Sequence, residues 1–84
     1  MTTQSGSAWH GRITSRPDVL GGKPCIGGTR VSVEAVLDTL GATGSITETV
    51  AEFPRLSEDD VRAALAYAAD ALRNDDLEFL IPTR

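Results

Sequence analysis

A lone cysteine and a lone histidine set the strongest limit on what this chain of 84 residues can fold into. A domain this short buries a modest share of its surface, so its core alone is marginal. Small domains are commonly held by disulfides, a structural metal or self-association. With Cys25 alone there is no internal disulfide, and with His10 alone one chain cannot assemble the usual zinc sets. Self-association remains, and a homodimer or higher homo-oligomer is expected.

Low cysteine usage fits a reducing compartment, and the apolar runs are far too short for a membrane span. Residues 1–8 are rich in Thr, Ser, Gln and Gly and lack the charged and apolar regions of a signal peptide. They are expected to be a disordered leader on a cytoplasmic protein. The net charge of −4 is unevenly spread. Residues 1–30 carry +3, from Arg12, Arg16, Lys23 and Arg30 against Asp18, and residues 31–84 carry −7. Such asymmetry points to two partners of opposite sign; solvated surface charge is the plainer explanation.

The fold expected is mainly α: a three-helix, helix-turn-helix-like domain over residues 9–73, with a small β-element at its front. Trp9 to Thr14 reads as a short strand, followed by a turn at Arg16-Pro17-Asp18. Gly21-Gly22 and Gly27-Gly28 bracket a short extended segment, Lys23 to Ile26. A first helix is predicted over 32–42, capped by Ser32, with Val33, Val36, Leu37 and Leu40 on its buried face. A second runs over 45–53, opened by a Ser45/Glu48 capping box and stopped by Pro54. Its inner side is Ile46, Val50 and Phe53. The third and longest helix spans 57–73, with Ser57 as cap and Glu58, Asp59 and Asp60 at the positive end of its dipole. Its core stripe reads Val61, Leu65, Ala68 and Leu72. Six alanines between Ala63 and Ala71 favour helix and leave a small-residue face that another helix can approach. Ala64, Tyr67, Ala68 and Ala71 are the dimer-interface candidates. Residues 74–84 form a tail with bulky Leu77, Phe79, Leu80 and Ile81.

The segment Ile13 to Val33 closely resembles the signature of domain-of-unknown-function family 433. The hallmarks are Gly22-Lys23-Pro24, the apolar pair Cys25-Ile26, Gly28-Thr29-Arg30, and Val31-Ser32-Val33 starting the first helix. Glu52-Phe53-Pro54-Arg55-Leu56-Ser57 and the residues to Ala68 are similar too, so the match covers about residues 12–73. The resemblance implies a dimerising, helix-turn-helix-like fold and a role as antitoxin in a bacterial type II toxin–antitoxin pair. The partner it implies is a PIN-like toxin, a metal-dependent ribonuclease. Gly27 departs from the pattern: this position is often basic in the family, and a phosphate contact is lost with it.

No catalytic set emerges. Cys25 lies between Pro24 and Ile26, a setting that suits a buried thiol better than a reactive thiolate. A phosphate-binding loop needs Gly-Lys-Ser/Thr opening a helix, whereas Lys23 is followed by Pro24. Glu58, Asp59 and Asp60 are consecutive and point apart on a helix. The chain reads as a binding module, not an enzyme, with no cofactor. Acidic residues at the start of the third helix disfavour groove reading by that helix. If operator DNA is bound, Arg12, Arg16, Lys23 and Arg30 are the candidates, although Lys23 and Arg30 would serve equally to brace the fold. Leu77, Phe79, Leu80, Ile81 and Arg84 are the toxin-binding candidates; docking of the tail within the homodimer is the alternative. A stand-alone DNA-binding regulator is the alternative function.

Overall fold

The computed structural model describes residues 9–74. The leader over 1–8 and the tail beyond residue 74 lie outside the described residues. The described chain is mainly α-helical, as the periodicity predicts. Two short strands, β1 (Ile13–Thr14) and β2 (Cys25–Ile26), precede three helices, α1 (Val33–Thr43), α2 (Ile46–Glu52) and α3 (Glu58–Asn74).

The β-element is smaller than the sequence suggests. Trp9 does not begin a strand, because its carbonyl accepts from the N–H groups of Arg12 and Ile13 at 3.0 and 3.1 Å. A turn therefore fills the first half of the predicted strand. β1 pairs antiparallel with β2, with Ile13 opposite Ile26 and Thr14 opposite Cys25. On its other side β2 meets the run into α1: the Ile26 N–H donates to the Val31 carbonyl at 2.9 Å and the Val33 N–H to that of Pro24 at 2.9 Å. Between these runs the Thr29 N–H closes a turn on Ile26 O at 3.0 Å. Gly28 holds its third position with φ +78°, a conformation that side-chain-bearing residues rarely take.

The helix starts follow the predicted caps. Ser32 Oγ accepts from the Ala35 N–H at 2.9 Å, and Gly44 ends α1 in the left-handed region. Ser45 Oγ accepts from the Glu48 N–H at 3.1 Å, but the reciprocal half of the expected capping box is absent. The Ser45 N–H donates to Thr43 Oγ1 instead, at 3.2 Å. The reciprocal box stands at α3, where the Asp60 N–H donates to Ser57 Oγ at 3.2 Å and the Ser57 N–H to Asp60 Oδ2 at 2.9 Å.

All three helices contact one another. Their shared core is Ile13, Ile26, Val33, Val36, Leu56, Val61, Ala63 and Ala64, and Leu37, Leu40, Ile46, Val50 and Phe53 pack against it partly buried. Thr49 is the buried polar side chain among the described residues. Its hydroxyl donates to the Ser45 carbonyl at 2.8 Å and meets that of Thr43 at 3.0 Å, which ties α1 to α2. The predicted stripe on α3 needs correction. Val61 and Ala64 are fully buried, while Leu65 and Leu72 are 40% and 52% exposed. At 100° per residue Leu65 lies about 40° from Val61 on the side away from buried Ala64, and so about 100° from Ala64. Leu72 regains the direction of Val61 but lies beyond the part of α3 that the core covers.

Candidate functional site

The four basic residues of the front do not form one patch. Arg12 follows a turn and precedes β1, which carries it to the start of α3. Its guanidinium donates to Asp60 Oδ1 at 2.9 Å and approaches Asp59 Oδ2 at 3.8 Å. Partial burial alone would raise the Asp60 carboxyl. The Ser57 N–H, the Arg12 guanidinium and the Ser57 hydroxyl outweigh it and hold the group below its ordinary value of 3.8. Arg12 is thus a brace between β1 and α3. Lys23 faces Glu34 at the start of α1, 3.4 Å away and exposed. Arg16 reaches Asp18 at 3.5 Å, also in the open.

Arg30 alone of the four makes no side-chain hydrogen bond or ion pair among the described residues. The fold brings Arg30 and Arg16 to the rim of a recess of about 400 Å³, together with Thr14, Val19, Gly28 and Thr29. A third cation completes it: Arg55, from the turn between α2 and α3. Sequence reasoning did not single out Arg55. It lies 25 residues from Arg30, and only the packing of α2 and α3 on the β-element unites the two. Among the described residues no carboxylate lines this recess.

A second concavity runs between α1 and α3. Val33 and Leu37 form one wall, and Tyr67, Ala68, Ala71 and Leu72 the other, with Pro24 at one end. Its volume is about 410 Å³, and Lys23, Ser32 and Glu34 supply its polar rim. Three of the four dimer-interface candidates, Tyr67, Ala68 and Ala71, line this groove. The fourth does not. Ala64 is turned into the chain's own core and is 0% exposed, because it lies three residues beyond Val61 on the buried face. Trp9 anchors the far side of Tyr67, ring edge to face at 4.8 Å, and its Nε1 donates to Asp70 Oδ2 at 2.7 Å.

Arg62 faces Glu58 and Asp59 at 3.4 and 3.5 Å. Cys25 is buried, and its thiol donates to the Lys23 carbonyl at 3.3 Å. His10 is exposed and packs edge-on against Trp9. Among the described residues no three His, Cys, Asp or Glu side chains converge as metal ligands would, and no helix is long and apolar enough to cross a membrane. Leu77, Phe79, Leu80, Ile81 and Arg84 lie outside the described residues.

The profile of the family described as a protein of unknown function, DUF433, matches residues 13–68. The chain belongs to the DUF433 family. It is also 40% identical over 62 residues to the uncharacterized protein y4eO of Sinorhizobium fredii (strain NBRC 101917 / NGR234). That alignment covers 73% of this chain and 28% of y4eO, so the chain spans little more than a quarter of that relative. No solved structure matches. The matched segment holds the whole lining of the recess, Arg55 included, and of the groove the α1 wall with Tyr67 and Ala68; Ala71 and Leu72 lie beyond it.

Proposed function

We propose that this chain is the antitoxin of a bacterial type II toxin–antitoxin pair, acting in the cytoplasm as a homodimer. It binds and occludes a PIN-like ribonuclease and, by binding operator DNA, represses its own operon. The family supports the reading through the role its resemblance implies. The observation that carries it is the apolar groove between α1 and α3, a recognition surface lined by Val33, Leu37, Tyr67, Ala68, Ala71 and Leu72.

A second copy of the chain covers that groove. The nine buried apolar residues among those described make a small core for a domain without a disulfide. Val33 belongs to both the core and the groove wall, so a partner helix seated there extends the core without a break. The segment after Asn74, with Leu77, Phe79, Leu80, Ile81 and Arg84, is then the part that engages the ribonuclease. Its apolar side chains supply area, and Arg84 can pair with carboxylates of an acidic nuclease centre.

The test is co-expression with the product of the adjacent reading frame. The two proteins should co-purify, and the chain should suppress RNA cleavage by that product. Undiminished cleavage under molar excess of the chain would refute the reading. Deleting residues 74–84 should abolish suppression while leaving the dimer intact. The unpaired charge on Arg30 and Arg55 favours a second reading, a stand-alone DNA-binding regulator. It requires tight, salt-dependent operator binding by the chain alone.

A further inference from the structure

We propose that the recess of Arg16, Arg30 and Arg55 is a binding site for one phosphate group. Three guanidinium-bearing residues from three separate turns border one concavity, and no carboxylate of the described residues lines it. Arg30 and Arg55 make no hydrogen bond or ion pair with any described residue. Arg16 has only the exposed contact to Asp18 at 3.5 Å, a class of pair that contributes little and yields readily to a competing anion.

The contrast with the other cations on this front is informative. Arg12 faces a carboxylate of α3 at 2.9 Å and braces the fold, and Lys23 faces one of α1 in the open. Arg30 and Arg55 at the recess face no described carboxylate. Like charges around one concavity repel, and a bound anion removes that repulsion. Guanidinium is the side chain best matched to a phosphoryl group, because its planar fork donates two parallel hydrogen bonds to a pair of oxygens. The backbone helps. Gly28 contributes a wall without a side chain, and its φ of +78° disfavours acquiring one. Thr14 adds an exposed hydroxyl-bearing residue on β1.

A volume of about 400 Å³ lies within the usual range for small-ligand pockets and exceeds what a lone phosphate fills. The site has room for the phosphate together with part of what it is attached to. That is a phosphodiester of a nucleic-acid backbone or a free phosphate compound. The first source rests on the operator-binding reading above; the second does not.

The experiment uses the full chain at low ionic strength. Inorganic phosphate is titrated while the arginine Nε–H resonances are followed by NMR, and a mixed-sequence DNA duplex is titrated in parallel. Arg30→Ala and Arg55→Ala are compared with Arg62→Ala, which removes an exposed cation from α3. Circular dichroism confirms that each variant is folded. Phosphate should shift the resonances of Arg16, Arg30 and Arg55 and leave that of Arg62 in place. Arg30→Ala and Arg55→Ala should each weaken duplex binding at least fivefold and lower the salt slope by about 1, with Arg62→Ala within twofold of the parent. Phosphate binding that depends on Arg55, with no duplex binding by the parent, upholds the site with a free phosphate compound as ligand and overturns operator binding. Equal losses in Arg55→Ala and Arg62→Ala, or no shift of Arg30 and Arg55 with phosphate, overturn the proposal.

Discussion

Asp60 joins three parts of the chain through one carboxylate: the Ser57 cap, the first turn of α3 and, through Arg12, the front of β1. Ionised, it accepts from all of them, so folding holds its pKa below the ordinary 3.8. A carboxyl depressed in the folded state contributes stability above its unfolded pKa and loses it as pH falls through the lower folded value. Thermal unfolding followed from pH 6 to pH 2 should therefore show a steeper acid limb in the parent than in Asp60→Asn. Parallel limbs would dismiss this linkage. Leu20 offers a test of the opposite sign. It is a non-glycine residue with φ +50°, a left-handed conformation that costs L-residues roughly 1–2 kcal/mol. Its side chain is 41% exposed, so little packing is lost on replacement. Leu20→Asn should gain about 0.5–1 kcal/mol, since Asn tolerates this region best after Gly, and Tm should rise by a few degrees. A lower Tm would mean that Leu20 is packed against something the monomer lacks.

The helices show how far local chemistry reads from the sequence. Caps are encoded within four residues, so Ser32, Ser45 and Ser57 are legible, and the starts and stops of all three helices fall within a residue or two of expectation. The facing of α3 is less legible. Leu65 and Leu72 are larger than Ala63 and Ala64, so a hydrophobic pattern assigns the core to the leucines. The structure gives it to the alanines, which are 2% and 0% exposed where α3 meets α1 and α2. Ala64→Leu should accordingly cost about 1–3 kcal/mol by overpacking, while Leu65→Lys should stay within about 0.5 kcal/mol. Chemical denaturation reads both, and the reverse order would restore the original stripe. The front is legible in outline only. Glycine spacing announces turns around a short extended segment, but Trp9 pairs with Asp70, 61 residues away. No local signal encodes that bond, and the same holds for the meeting of Arg30 with Arg55.

At the scale of the molecule, scarcity of staples is what the sequence expresses most clearly, and its consequence can be measured. The groove between α1 and α3 exposes apolar surface that a monomer leaves in water, with Leu72 at its edge 52% exposed. In an isolated chain, Leu72→Glu replaces one exposed side chain by another and should be close to neutral. In a dimer that seats a second copy on the groove, it places an unpaired carboxylate in an apolar interface, which is strongly unfavourable. The parent should sediment as a dimer at tens of micromolar, and its Tm should rise with protein concentration, as mass action requires. Leu72→Glu should sediment as a folded monomer whose Tm no longer depends on concentration. The dissociation constant should weaken at least 100-fold, equivalent to about 2.8 kcal/mol. A charge at Leu65, away from the groove, should leave association intact and so separates a specific interface from general stickiness. A parent that is monomeric throughout, or a Leu72→Glu protein that still dimerises, would leave the groove free for a different protein and move the antitoxin reading onto a monomer.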